Sequence, residues 1–256
     1  MALKGEIVGN IYHPATVVRL ASVRGVHPTI PAAASPLTLD LVAGPSQQAV
    51  VLAAFPTALY LGRPEHAKVL PVVTRDALIL PTALRLAEPG PHDWGVDAGD
   101  VVTLGGGLVA LPGHGIRVVR SWRPRRVTIG SPSAVTVDWT SLLAQVGRGE
   151  GLTPRADDVL CGALLAARAL GVSLPATLPV ERTTSLSASL LEAAHAGYAV
   201  PAVIDHVTAV VAGSADTTST REAVLAIGHT SGAGLLEGID LVRNTSHCPL
   251  PEGIPS

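Results

Sequence analysis

The stretch VTIGSPSAVTVDWTSLLAQVGRGEGLTPRADDVLCGALLAARALG, residues 127–171, holds the change of pattern that decides the fold. Its first third is short β-branched runs broken by Gly130 and Pro132. From Thr153 onward the apolar residues recur at the three-to-four-residue spacing of a helix. Thr153 is the expected N-cap, Pro154 the first helical residue and Gly171 the stop, which predicts a helix over 153–170.

Upstream, aliphatic runs of strand length are cut by Pro and Gly. They fall at 37–43, 49–61, 68–73, 77–80, 101–104, 108–111, 116–121 and 127–129, with turn signals such as Gly105-Gly106-Gly107 and Pro112-Gly113 between them. Residues 1–135 carry 14 of the 21 prolines, which argues against long helices there. A parallel sheet would need intervening helical segments, and none is visible. The expected first half is therefore an antiparallel barrel or sandwich. Downstream, further helices are expected over 187–196, 201–212, 220–227 and 231–242, with a proline-rich tail from His247. The class is α+β: a β-rich domain over 1–135, then an all-helical domain over 136–256 that carries the motifs.

Composition narrows the function. The 256 residues carry a net charge of −2, so bulk charge does not point to nucleic acid. The first 135 residues are net +4 and the rest net −6. Hydrophobic residues make up 47%, nearly all aliphatic; three Trp, three Tyr and one Phe are too few for a base-stacking or sugar-stacking surface. Cys161 and Cys248 give no disulfide framework and no CxxC spacing, which fits a reducing compartment. No apolar run is long enough for a signal peptide or a membrane span. The expectation is a soluble cytoplasmic protein with no metal, no cofactor, no membrane and no nucleic-acid partner.

Three polar clusters break the aliphatic background. The first runs from Gly147 to Asp158, with glycines at 147, 149 and 151 leading into the helix. Gly149, Gly151 and Thr153 would hold a small anion against the helix N-terminus, clamped by Arg148 or Arg155. A plain glycine-rich entry to a capped helix explains the same residues. It lacks the Gly-Lys-Ser/Thr of a phosphate loop and the order of a dinucleotide fingerprint. Adjacent helical residues point about 100° apart, so only one of Asp157 and Asp158 is expected to face a site, the other staying on the helix surface. No His stands at metal-ligand spacing beside them.

The second cluster, Arg182 to Ala188, crowds hydroxyls at a helix entrance. Thr184 and Ser187 are candidate anion contacts, although capping alone accounts for one of them. The third, Ile227 to Gly234, places His229, Thr230 and Ser231 in a Gly-rich turn. His229 there suits an acid, a base or a neutral donor, and is equally readable as structural. Thr153, Ser187 and Ser231 are expected to share one cavity. The run Arg117, Arg120, Arg123, Arg125 and Arg126 reads as a solvated face, His195 and His206 as incidental, and Cys161 as a core residue.

In this order, Gly147–Asp158, Thr184–Ala188 and Gly228–Gly232 resemble the AllH-like family. The resemblance is specific over residues 140–245 and indistinct before them. It implies a subunit of oxamate carbamoyltransferase, acting beside FdrA-type and AllG-type subunits in allantoin and purine breakdown. The implied reaction converts oxalurate and phosphate to oxamate and carbamoyl phosphate. It would place Asp157, Asp158 and His229 in the chemistry and the helix-entry hydroxyls on small anionic substrates, with oriented donors facing a tetrahedral oxyanion. One departure stands out: the family pattern has Ser-Gly before the two aspartates, and this chain has Arg155-Ala156. The other reading the residues allow is a noncatalytic anion-binding or scaffold subunit.

Overall fold

The computed structural model describes residues 28–63, 66–228 and 230–246. His229, Cys248 and the tail from His247 fall outside the described residues.

Eight strands close into a barrel: β1 (Thr29–Ala34), β2 (Gln47–Phe55), β3 (Ala58–Arg63), β4 (His66–Val73), β5 (Leu84–Leu86), β6 (Val101–Gly105), β7 (Leu108–Leu111) and β8 (His114–Ser121), in the order β1-β5-β4-β3-β2-β6-β7-β8. Most neighbours are antiparallel, for the hairpins supply them directly. β1–β8, which closes the barrel, and β4–β5 are parallel. Alternate residues fill the interior, among them Val51, Leu59, Leu61, Leu70, Val72, Leu84, Leu104 and Ile116, all buried. An eight-stranded barrel is just wide enough for such a filling. A ligand must therefore bind outside it.

Three expected strands are not strands. Residues 37–43 contain a short helix, α1 (Leu39–Ala43), which seats Leu41 and Val42 in the barrel core. Ser35 and Thr38 pin its start by donating to the carbonyls of Pro81 and Thr82 at 2.5 and 2.6 Å. The Gly106 and Gly107 N–H groups take up the carbonyls of Gly44 and Val42 at its end. An apolar run of this length fits a buried helix as well as a strand, and the long-range bonds decided it. Residues 77–80 are irregular and follow a turn at Arg75-Asp76, where Asp76 accepts from Thr74 Oγ1 at 2.6 Å and Gly90 N at 2.8 Å. Residues 127–129 make no sheet; Val127 N donates to the Gly197 carbonyl in the helical half. The run over 49–61 is a hairpin, β2 and β3, folded at Pro56-Thr57.

The helical half comprises α2 (Trp139–Ala144), α3 (Arg155–Ala169), α4 (Ser185–His195), α5 (Pro201–Val211), α6 (Thr218–Leu225) and α7 (Ser231–Ser246). α3 is central and almost wholly buried. α4 lies against β4, where Ser189 Oγ accepts from Val69 N at 2.9 Å, and Ala58, Val73, Leu80 and Ala83 of the barrel side join the helical core.

α3 and α7 cross with backbones nearly touching. A methyl group on Gly238 would lie 1.9 Å from the Val159 carbonyl oxygen, and one on Gly162 2.0 Å from that of Leu235. Neither carbonyl can move without breaking its helix. Gly238→Ala is therefore expected to cost about 2–3 kcal/mol by overpacking, measured as a lowered urea midpoint with an unchanged m-value.

Candidate functional site

The glycine loop closes over the start of α3. Pro154 is the cap residue, one position later than expected, and offers no side-chain acceptor. Instead the Arg148 carbonyl takes the Ala156 N–H at 3.1 Å. Gly149 makes this fold-back possible: its φ is +128°, and a Cβ there would lie 2.6 Å from Arg155 N. Part of the donor set expected to hold an anion is thus spent on the loop itself. Gly151, also at positive φ, faces open space.

Asp157 is not on the helix surface but is 1% exposed. Its carboxylate accepts from Gly147 N at 2.8 Å, from Ser187 Oγ at 2.7 Å and from Thr183 Oγ1. It therefore ties the first cluster to the second. Both faces of this helical turn are covered, one by the loop and α4 and the other by α7, so neither carboxylate reaches solvent freely. Thr184 caps α4, accepting from Ser187 N at 3.1 Å and donating to the Leu152 carbonyl at 2.5 Å. Thr184→Ala is expected to cost about 1 kcal/mol, read from thermal unfolding.

Asp158 turns the other way, into a cavity of about 290 Å³ between the barrel wall and the helices. Thr153 and Ser231 share that end of it, their hydroxyl oxygens 3.2 Å apart. Burial pushes the Asp158 carboxyl up to about 7; a hydrogen bond from Ser231 draws it down and the Asp157 charge adds to the rise. Either hydroxyl of the Thr153–Ser231 pair can donate to the other. One carboxylate oxygen of Asp158, Oδ2, is buried with no partner.

The rest of the wall is apolar. Leu165 comes from α3, Leu186 and Leu190 from α4, Val203 from α5 and Leu235 from α7, while Tyr60 and Leu80 close the barrel side. Leu78 and Leu152, exposed at 45% and 38%, mark the mouth. Cys161 also lines the cavity. Burial, then the charges of Asp158 and Asp157, push its thiol well up, which makes it a poor nucleophile at neutral pH.

Of the other expected site residues, Ser187 is turned to Asp157 and does not line the cavity. Arg155 forms an ion pair with Glu237 across the α3–α7 crossing. Thr230 is exposed, with its carbonyl accepting from Gly234 N at 3.1 Å. His229 lies outside the described residues. Sequence reading did not mark Tyr60, Tyr198, Thr183 or the leucines. Thr183 lay within the hydroxyl cluster, but the tyrosines and leucines reach the cavity only through tertiary packing. Among the described residues no group of three His, Cys, Asp or Glu is placed to hold a metal ion, and no helix is long and apolar enough to cross a membrane.

Fold and site together define a small barrel joined to a helical half, with a buried carboxyl at the polar end of an apolar cavity. The helices that build that polar end carry a family signature. Residues 145–242 match the family model described as oxamate carbamoyltransferase subunit AllH, so this part of the chain is similar to that family; the barrel lies outside the match. No curated protein and no solved structure gives a significant match.

Proposed function

We propose that this chain is the AllH-type subunit of an oxamate carbamoyltransferase, working with FdrA-type and AllG-type subunits on oxalurate in allantoin breakdown. The observation that carries the reading is the buried Asp158 carboxyl at the polar end of a cavity built largely by the family-matched helices. In the reaction a phosphate oxygen attacks the carbamoyl carbon, and the bond from that carbon to the oxamate nitrogen breaks. Hydrogen phosphate loses one proton and the leaving nitrogen gains one. A carboxyl poised near 7 suits both halves of that transfer. Asp158 takes the first proton and delivers it to the nitrogen, held in orientation by Ser231 and Thr153.

Among the described residues no Lys or Arg lines this cavity. Charge compensation for phosphate therefore comes from the partner subunits. The same observation favours the scaffold half of the second reading, a noncatalytic scaffold or anion-binding subunit. Reconstitution separates the two. Carbamoyl phosphate formation from oxalurate and phosphate is followed with all three subunits and with each left out. The proposal expects activity only with the full set. Full activity without this chain overturns it, and full activity by this chain alone overturns the dependence on partners.

A further inference from the structure

The outer wall of the barrel over β5, β1 and β8 carries positive charge that nothing among the described residues answers. We propose that this face docks the acidic surface of a partner protein subunit, whose carboxylates pair with Arg85, Arg117 and Arg120 around an apolar contact at Val119. The inference rests on the reading of this chain as one subunit of a complex, and it specifies which face the complex uses.

Ile116 is buried and Val118 packs on the barrel core, so the alternation of β8 turns Arg117 and Val119 outward. The register shift at Ala32 and Ala33 then sets Arg120 across from Ala33, beside Val119. Arg85, between the inward Leu84 and Leu86 of β5, pairs with Ala33 from the other side. Arg85, Arg120 and Val119 rim a hollow of about 150 Å³.

No Asp or Glu occurs from Val101 to Val137. Among the described residues Arg85, Arg117 and Arg120 have no carboxylate partner, whereas Arg125, Arg155 and Arg221 each meet one. The ends outside the described residues do not supply it: residues 1–27 are net +2, and the tail from His247 holds one acid, Glu252. Arg85 is pinned by stacking 5.1 Å over the Trp122 ring, so a partner's carboxylate meets a charge that is already oriented. Val119, 60% exposed between Arg117 and Arg120, suits a protein contact better than a phosphate backbone, and Trp122 lies under Arg85 rather than open to a base. The arginine run ends at Arg126, whose guanidinium lies 5.2 Å over Tyr198 of the cavity wall, so the face leads to the site.

Sedimentation velocity of the full chain with the two partner subunits of the proposed complex, separately and together, tests the face without relying on turnover. Arg117→Glu/Arg120→Glu is expected to weaken assembly at least about 100-fold at about 0.15 M salt, with an unchanged Tm. Arg117→Ala/Arg120→Ala, which removes the charge without reversing it, is expected to lose about tenfold and decides the matter if the reversed variant fails to fold. Raising the salt to about 1 M weakens assembly of the parent more than that of the alanine variant. Variants that assemble as tightly as the parent, or a parent that assembles with neither subunit, overturn the inference. So does a reversal that abolishes instead the binding of a DNA duplex or of a second copy of this chain. Tight variant assembly in a complex that still consumes oxalurate removes this inference and leaves the proposed function standing. Charge-dependent assembly with no oxalurate turnover does the reverse.

Discussion

Replacing Asp158 with asparagine is expected to stabilise the folded chain by up to about 4 kcal/mol at pH 8 and by little at pH 4. The folded carboxyl titrates near 7, against an ordinary value of 3.8. Between these two values the folded chain holds a proton that the unfolded chain has released. Folding stability from the neutral carboxyl is complete below about pH 4, falls as pH rises, and is lost above about pH 7. Asparagine does not ionise, so the variant escapes the decline. For a chain of this size the difference at pH 8 is on the order of 10 °C in Tm. Thermal unfolding of both proteins from pH 4 to 8 measures it. Parallel curves would show that Asp158 is not a buried, uncompensated carboxyl.

The neighbouring substitution runs the other way. Asp157→Ala leaves the Gly147 N–H and the Thr183 and Ser187 hydroxyls without their acceptor. Loss of a buried charged acceptor with several donors costs about 3–5 kcal/mol. The effect extends past stability, because Asp157 holds the 147–153 loop that brings Leu152 and Thr153 to the cavity. A urea unfolding curve should show the loss, with asparagine, which keeps one acceptor oxygen, falling between. A cost under about 1 kcal/mol would mean that the loop is held by other bonds.

The pair also shows what was legible in the sequence. Adjacent carboxylates in a helix must diverge, and in the structure Asp158 lines the cavity while Asp157 turns to the Gly147 loop. That divergence does not reveal that Asp157 is buried too, because burial depends on the Gly147 loop folding back and on α4 arriving from thirty residues away. The helices were readable from Pro154, Gly171 and Pro201, whose effects are local, while α4 begins at Ser185, two residues before its expected start, because Thr184 caps it. The barrel was readable from hairpins, but its closure by parallel β1–β8 pairing was not. β1, TIPAAA, has small side chains and a proline, and only the barrel gives it partners. Thr153, Ser187 and Ser231 were expected in one cavity, and the structure brings Thr153 and Ser231 together there while Ser187 turns to Asp157. Tyr60, Leu78 and Leu190 gave no signal, since each reads as an ordinary strand, turn or helix residue. The Gly149 loop misled in an instructive way: a glycine-rich helix entry suits an anion only while its N–H groups stay free, and here Arg148 occupies one of them.

The most direct test of the whole account is turnover by the reconstituted three-subunit complex carrying Asp158→Asn. The variant should assemble with its partners and fold at least as stably as the parent. Carbamoyl phosphate formation from oxalurate should then be slower by about 10²–10⁴-fold, the contribution typical of a positioned proton carrier. Formation at the parental rate by an assembled variant complex would contradict the account.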